Sequence, residues 1–379
     1  MDTIDRDFVP PHCPNRQCSY FLQGKTNKWF RKAGYHSTHA HGLVQRFRCS
    51  ACLKSFSRQT FDLHYFSKRR LDWAEIREIG RSCCSDRAKA RQLKVSPTTI
   101  ADKIHRLAKW SLDKHHHVLN SYRFGGTYCA DGFETFTHSQ YHPGHLNILV
   151  ESSSRMMFTW DYQTIRRKGR MTPDQKQKRD LWEREWKPAR GALGKSFARA
   201  VVEPLEKLAA PGTAVVLDTD EHPVYPRVLR SSEKLASLFK TGIYVHNQYS
   251  SLLPRTFHSP LLGVNYMDRE LRKDLANHVR EGTRFSREAN HMAERVSIYA
   301  VDHNLNKKFR IKARKSEATW HWKVAGMEES VVKSGTEGKF LGRPWRRDES
   351  LGFIKRMWDR DIPGPRSRAK ARMAGFWRD

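Results

Sequence analysis

Four cysteines near the N-terminus constrain what this chain can fold into more than any other feature. Cys13-Pro14-Asn15-Arg16-Gln17-Cys18 and Cys49-Ser50-Ala51-Cys52 form two knuckles about 30 residues apart. The chain carries seven cysteines, an odd and mostly paired set, and its N-terminus lacks the basic-then-apolar layout of a secretion signal. A disulfide framework is therefore the poorer reading. Four thiolates can close a tetrahedral structural Zn²⁺ site and hold together a piece too small for a core of its own. The second knuckle lies in Arg46-Phe47-Arg48-Cys49-Ser50-Ala51-Cys52-Leu53-Lys54-Ser55-Phe56-Ser57, which predicts two strands joined by a metal-gripped turn. A rival ligand set replaces one cysteine by His12, His36, His39 or His41, though solvated or phosphate-facing roles suit those histidines better.

Charge narrows the partners. The sequence has 70 Lys+Arg against 40 Asp+Glu, a net +30 that excludes an ordinary metabolic enzyme as the default. The excess is +13 in residues 1–120, +6 in 121–304 and +11 in 305–379, and residues 166–190 alone account for the +6 of the middle. A neutral core is thus flanked by basic arms and interrupted by a basic insert. The expected partner is DNA or RNA, because each neutralised phosphate releases counterions and adds affinity without sequence recognition. No long basic amphipathic helix suits a membrane surface, and no run approaches the roughly 18 apolar residues of a membrane span. The expectation is a cytoplasmic protein, with 38% hydrophobic residues supplying its cores.

Between Leu71 and Trp110 the period becomes helical. Ile76 and Ile79 mark one helix, Ala88, Ala90, Leu93 and Val95 follow a polar break, and Ile100, Ile104, Leu107 and Ala108 mark a helix over Thr98 to Trp110, with Ser96 as N-cap and Pro97 in its first turn. This layout predicts a helix-turn-helix that carries Thr98, Thr99, Asp102 and Lys103 to base edges. His115-His116-His117 is expected as an exposed linker, and Cys83-Cys84 as buried turn thiols.

After Tyr122 the period changes again. Residues 128–136, 146–150 and 156–160 predict an antiparallel meander, followed by a helix over Phe197 to Ala209 and a buried parallel strand at Ala214-Val215-Val216-Leu217. A short strand at Ile243 to Val245 and helices over Met267 to Arg280 and Ala289 to His303 complete a ribonuclease H-like order. Asp131 falls in the first strand, Asp220 just past the fourth, and Asp268 in the later helix. Three such carboxylates could hold two Mg²⁺ ions for phosphodiester chemistry. Asp218 competes with Asp220, and Glu270 and Asp274 with Asp268.

Taken with the zinc ribbon and the helix-turn-helix, these acids make residues 10 to 304 resemble the DDE transposases of small prokaryotic insertion sequences. Asp131-Gly132-Phe133-Glu134 resembles that family's first motif, and Thr219-Asp220 with Tyr225 its second. Arg272, Arg280, Thr283, Phe285 and Ser286 resemble the trail after its third acid. One departure is plain: where the family often has Glu followed three residues later by Asn, this chain has Asn265 and then Asp268. The resemblance implies an α/β ribonuclease H-like catalytic core acting as a homo-oligomer on DNA in the prokaryotic nucleoid. It further implies Mg²⁺-dependent strand cleavage at element ends by water, then strand transfer to target DNA by the freed 3′-hydroxyl.

The expected organisation is a zinc ribbon over 1–66, a helix-turn-helix over 67–120, a catalytic domain over 121–304 with a basic insert near 163–195, and a basic region over 305–379. Arg166, Arg167 and Lys168 of the insert are expected on phosphates, with Trp182 and Trp186 for stacking, and Arg272 and Arg280 are expected to contact DNA. The tail keeps Trp320, Trp322, Trp345 and Trp358 and should be partly folded, with Pro363 to Arg372 flexible. The alternatives are a non-catalytic DNA-binding regulator on a decayed core, or a structure-specific nuclease without strand transfer.

Overall fold

The computed structural model describes residues 8–23, 28–38, 42–82, 84–208, 212–279, 284, 286–310, 314, 318–334, 342–347 and 352–365. They divide into two compact units, one built from the chain up to Ile76 together with residues 333–351, the other from Arg77 to Val332 together with the segment from Gly352. Residues 305–379 are therefore shared between the two.

In the first unit, β1 (Phe30–Thr38), β2 (Gly42–Cys49) and β3 (Ser55–Ser57) form an antiparallel sheet in that order. Cys49 ends β2, and Leu53 at φ +58° turns the chain into β3, so the second knuckle is the strand-joining turn expected. So short a sheet buries little, and its core is a ring cluster of Trp29, Phe47, Phe56 and Phe61 packed on the cysteines. Trp29 stacks on Phe56 with ring centroids 5.6 Å apart. The tail completes this core. Gly342 bridges Asp62, the Arg343 N–H donates to the Phe61 carbonyl at 2.7 Å, and Trp345 packs against His12, Phe21 and Phe61.

Three helices follow: α1 (Trp73–Ser82), α2 (Asp86–Gln92) and α3 (Pro97–Asn120). Ser85 caps α2 by accepting the Ala88 N–H at 3.2 Å, and Ser96 caps α3 by accepting the Thr99 N–H at 3.1 Å. Lys94, at φ +52°, makes the turn between α2 and α3. One expectation fails here. α3 does not stop near Trp110 but runs on through the three histidines, and His115 and His116 are buried. His115 Nε2 lies 2.6 Å from the Phe158 carbonyl and its ring packs on Trp160, so this stretch is a core face and not an exposed linker. Cys84 is half-buried; Cys83 lies outside the described residues.

The centre of the second unit is a five-stranded sheet of β4 (Gly126–Thr137), β5 (Ser139–Glu151), β6 (Met157–Thr164), β7 (Val215–Asp220) and β8 (Tyr244–Tyr249), ordered β6-β5-β4-β7-β8. β4, β5 and β6 are the antiparallel meander, while β7 pairs parallel with β4, and β8 parallel with β7. This mixed order is the ribonuclease H-like one expected. The unit's helices after α3 include α4 (Pro173–Glu185), α5 (Ala192–Phe197), α6 (Glu203–Leu208), α7 (Val224–Arg230), α8 (Glu233–Lys240), α9 (Leu262–Asp274) and α10 (Ala289–Val301). α9 thus starts and ends earlier than the expected Met267 to Arg280.

Strand periodicity assigns the faces. Alternate residues of β4 point to opposite sides, so Cys129, Asp131 and Phe133 share one face and Gly132 lies on the other. α9 covers the first face so closely that a Cβ on Gly263 would sit 2.5 Å from Cys129 Sγ. On the other face Asn147 Nδ2 donates to Ser196 Oγ of α5 at 2.9 Å. The buried Asp161 of β6 is neutralised by Arg199 and by Arg356 of the C-terminal segment, at 2.9 and 3.0 Å. That charged lock, with buried Trp358 and Ile362, holds the described residues of this segment in place, in keeping with the partly folded tail its tryptophans suggested.

Candidate metal centre and acidic site

The four cysteines converge. All four Sγ atoms lie within 4.8 Å of one another, with Cys13 to Cys52 at 3.5 Å and Cys18 to Cys49 at 3.8 Å. A tetrahedron with Zn–S bonds of about 2.3 Å has S–S edges of about 3.8 Å, so the spacing fits zinc. The donor chemistry fits as well. Burial pushes the Cys13 and Cys49 thiols up. At Cys52 burial acts in the same sense, but hydrogen bonds from Lys54, Asn15 and the neighbouring thiols outweigh it and hold the thiol at about 7. Keeping four such groups ionised together requires a cation at their centre. His12 is buried beside this group but turns its Nδ1 to the Cys13 carbonyl at 3.0 Å, outside the sulfur set.

The acids converge at the opposite end of the chemical scale. In the parallel pair β4 and β7, Ala130 stands beside Thr219, so the next residues, Asp131 and Asp220, emerge side by side. Asp220 ends β7, while Asp131 lies in the middle of β4, where its parallel pairing with β7 stops. Asp131 is oriented by the Gly132 N–H at 2.6 Å and the Tyr225 hydroxyl at 3.2 Å, both donating to Oδ1. A side chain at Gly132 would collide with His145 and Asn147, which is why glycine follows the acid. The His222 N–H donates to Asp220 Oδ1 at 2.9 Å. Asp218, two residues earlier, is buried and accepts from Asn247 Nδ2 at 3.0 Å, so it is engaged within the sheet.

Burial, then the Asp220 charge, pushes the Asp131 carboxyl up to about 6. Burial, then the Asp131 charge, pushes the Asp268 carboxyl up to about 8. Asp268 therefore feels Asp131 across the gap between α9 and β4. Glu270 and Asp274 have other company. Glu270 is ion-paired with Lys307 and, at 3.3 Å, Lys273, and Asp274 with Lys307 at 3.2 Å. Against its burial, those lysines pull the Glu270 carboxyl down. Half-buried, mutually repelling carboxylates suit divalent cations, and this donor set fits Mg²⁺. The three acids do not form a group with every ligand oxygen within 4.8 Å, unlike the cysteines. A wider spread is compatible with two ions about 4 Å apart.

Arg255, in the loop before α9, bears on both Asp131 and Asp268, and no sequence motif pointed to it. Arg272 stands in the same place, 3.8 Å from Asp268 and stacked over the Phe133 ring at 5.1 Å. Gly263 was also missed, because its role is the close approach of α9 to β4.

The residues expected on DNA fare unevenly. Thr98 is exposed, and Thr99 is half-buried with its hydroxyl 2.9 Å from the Ser96 cap. Lys103 is a correction: it is 2% exposed within the buried face of α3 and is not presented to a groove. Asp102 is ion-paired with Arg106 at 2.9 Å. In the insert, Arg166 makes a two-pronged contact with Glu183 at 2.7 and 2.9 Å, Arg167 stacks over Tyr141 at 5.2 Å, and Lys168 is exposed. Trp182 packs edge-on against His138 and His142, and Trp186 against His142, so both rings clamp the insert to the β4–β5 hairpin instead of standing free for stacking. Arg280, Thr283 and Phe285 lie outside the described residues, as do residues 366–372 of the stretch expected to be flexible.

No protein-family model matches the chain, and no curated protein matches it. Among solved structures it is similar to the HTLV-2 integrase catalytic core domain in complex with magnesium (trimeric form), at 9% sequence identity and a TM-score of 0.27, covering 54% of this chain and 99% of that one. The fold class rests on this chain's own strand order. No helix among the described residues is long and apolar enough to cross a membrane.

Proposed function

We propose that the protein is a polynucleotidyl transferase of the DNA transposase kind, which binds the ends of a mobile element and cleaves and transfers DNA strands. One observation carries this reading: Asp131 and Asp220 emerge side by side where the parallel pairing of β4 and β7 ends, and Asp268, on the helix packed over β4, feels the Asp131 charge. Asp131, Asp220 and Asp268 would hold Mg²⁺, which when bound supplies activation of the attacking oxygen and stabilisation of the leaving one. The chain's own groups set the stage. Gly132 and Tyr225 fix the Asp131 carboxylate, and the packing of Gly263 on Cys129 carries Asp268 to it. Arg255 and Arg272 put positive charge where a scissile phosphate would lie. Thr98 and the exposed start of α3 are the surface proposed for base contact, and Arg166, Arg167, Lys168 and Arg280 for phosphates.

The test uses purified protein, duplex DNA carrying the sequences that flank its gene, and Mg²⁺ or Mn²⁺. Strand cleavage and joining should vanish in Asp131→Ala, Asp220→Ala and Asp268→Ala while DNA binding persists, and should survive in Glu270→Gln and Asp274→Asn. Full activity of Asp268→Ala would sink the third assignment. A wild-type protein that binds but never cleaves would favour a regulator, and cleavage without joined products would favour a nuclease.

A further inference from the structure

We propose that Leu252 and Leu253, in the loop between β8 and α9, form an apolar wedge that enters duplex DNA and unstacks the base pair beside the phosphate on which the three acids would act. The place of this loop in the fold is the first ground. β8 runs parallel to β7 with Tyr249 beside Asp220, so residues 250–261 leave the sheet next to the second acid. They lead into α9, which packs Gly263 on Cys129 of β4 and carries Asp268. One end of the loop therefore starts beside Asp220 and the other enters the helix of Asp268. Arg255, two residues past Leu253, bears on both Asp131 and Asp268.

The surface of the loop is the second ground. Leu252 is 90% exposed and Leu253 43%. Scattered leucines on a surface are ordinary, but two adjoining ones beside a carboxylate site are not. Neither phosphates nor metal ions offer such side chains anything. In duplex DNA the matching apolar surface is that of the stacked base faces, and leucine is among the side chains that wedge between them. The loop holds the two leucines outward. The Leu253 N–H donates to the Ser250 carbonyl at 3.1 Å, closing a turn over residues 250–253, and Pro254 restricts the backbone of Leu253. Nearer α9, Phe257 lies under the Arg155 guanidinium at 5.5 Å, which tethers that side of the loop. Opening a base pair has a use here. Asp131, Asp220 and Asp268 are half-buried, so a phosphate in a regular duplex must be drawn out of the stack to reach them, and Arg255 is placed to receive it. This inference rests on the DNA-handling reading above and names how its site would meet bases, but its test needs no strand cleavage.

The experiment uses the full-length, zinc-loaded protein in Ca²⁺, to keep the DNA uncut, and duplexes carrying the sequences that flank its gene. The fluorescent adenine analogue 2-aminopurine, which brightens when unstacked, is placed in turn at each position around the element's end. Saturating wild-type protein should raise its fluorescence several-fold at one position or two adjoining ones. Leu252→Ala/Leu253→Ala should lose most of that rise while still binding the duplex, as anisotropy measures. Leu252→Met/Leu253→Met, apolar and of similar volume, should keep it. No rise at any position with wild-type protein bound would overturn the proposal, as would an undiminished rise in the Ala variant. So would an equal loss in the Met variant, which would trace the effect to the shape of the loop. A DNA-free dimer that the Ala variant loses would also overturn it, by making the leucines a contact between two copies of the chain. Failure of the transposase reading would show instead as absent cleavage in Mg²⁺ with these fluorescence results intact.

Discussion

The cysteine centre and the acidic centre both crowd ionisable groups of like charge, yet they stand in opposite relations to the structure around them. The cysteines close within 4.8 Å and sit in loops and at the end of β2, in a sheet whose third strand has three residues. The acids are spread wider and project from helix α9 and from a sheet whose β6 is buried from end to end. At the first centre the metal would supplement a small aromatic core. At the second the core exists already, and the proposed ligands are costs it carries. A structural site and a catalytic one can thus be told apart by asking which of fold and metal depends on the other.

The comparison breaks most visibly on removing zinc. A strong chelator, or Cys49→Ser, should unfold the ribbon, with a loss on the order of 10 kcal/mol of binding-coupled folding energy. Protease should then cut within residues 8–61 while the five-stranded sheet stays resistant. Equal loss of both units would mean that the sheet is not self-sufficient. The next effect is catalytic: Asp131→Asn should cost at least about 10³-fold in strand cleavage, roughly 4 kcal/mol, without lowering the thermal midpoint. A lower midpoint would show that this acid supports the fold.

A buried carboxylate whose cation comes from the protein sharpens the contrast. Glu294 is 5% exposed, and against its burial Arg360 and His105 hold its carboxyl down to about 2. Because its folded value lies below the unfolded one, its stabilisation is present above about pH 4.5 and is lost as pH falls toward 2. Glu294→Gln should cost about 1–3 kcal/mol at neutral pH, leaving the half-buried Arg360 to Glu288 at 3.3 Å, and should flatten the acid limb of stability between those values. An unaltered acid limb would remove Glu294 from the account. The last effect is no larger and concerns Gly263. Gly263→Ala should cost about 1–3 kcal/mol by pressing on Cys129, and Cys129→Ala should restore most of it. Failure of that rescue would mean that something other than the sulfur limits the approach of α9.

Where a local pattern implies its own partner, the sequence was readable. The cysteine spacing, the Ser96-Pro97 cap, the meander and the strand after Pro211-Gly212 all belong to this kind, and so does the placing of Asp131. Burial decided by distant segments was not readable. Lys103 and His115 lie on a helix with polar residues all round, and their burial depends on packing that the helix itself does not encode. Lys109, similarly, lies 4.3 Å from the ring of Trp358, about 250 residues further on. Trp182 and Trp186 read as free rings because their partners, His138 and His142, lie about 40 residues earlier, at the β4–β5 hairpin. Arg255 gave no signal, since an arginine in a loop looks like any other until the fold puts it beside two acids.

The seating of Trp345 against Phe61 has a consequence in the order of synthesis. The ribbon's strands leave the ribosome first, but the side chain that finishes their core is made nearly 300 residues later. Contacts between residues so far apart close late and slowly. A growing chain therefore carries its ribbon with an incomplete aromatic core until the five-stranded sheet has been synthesised.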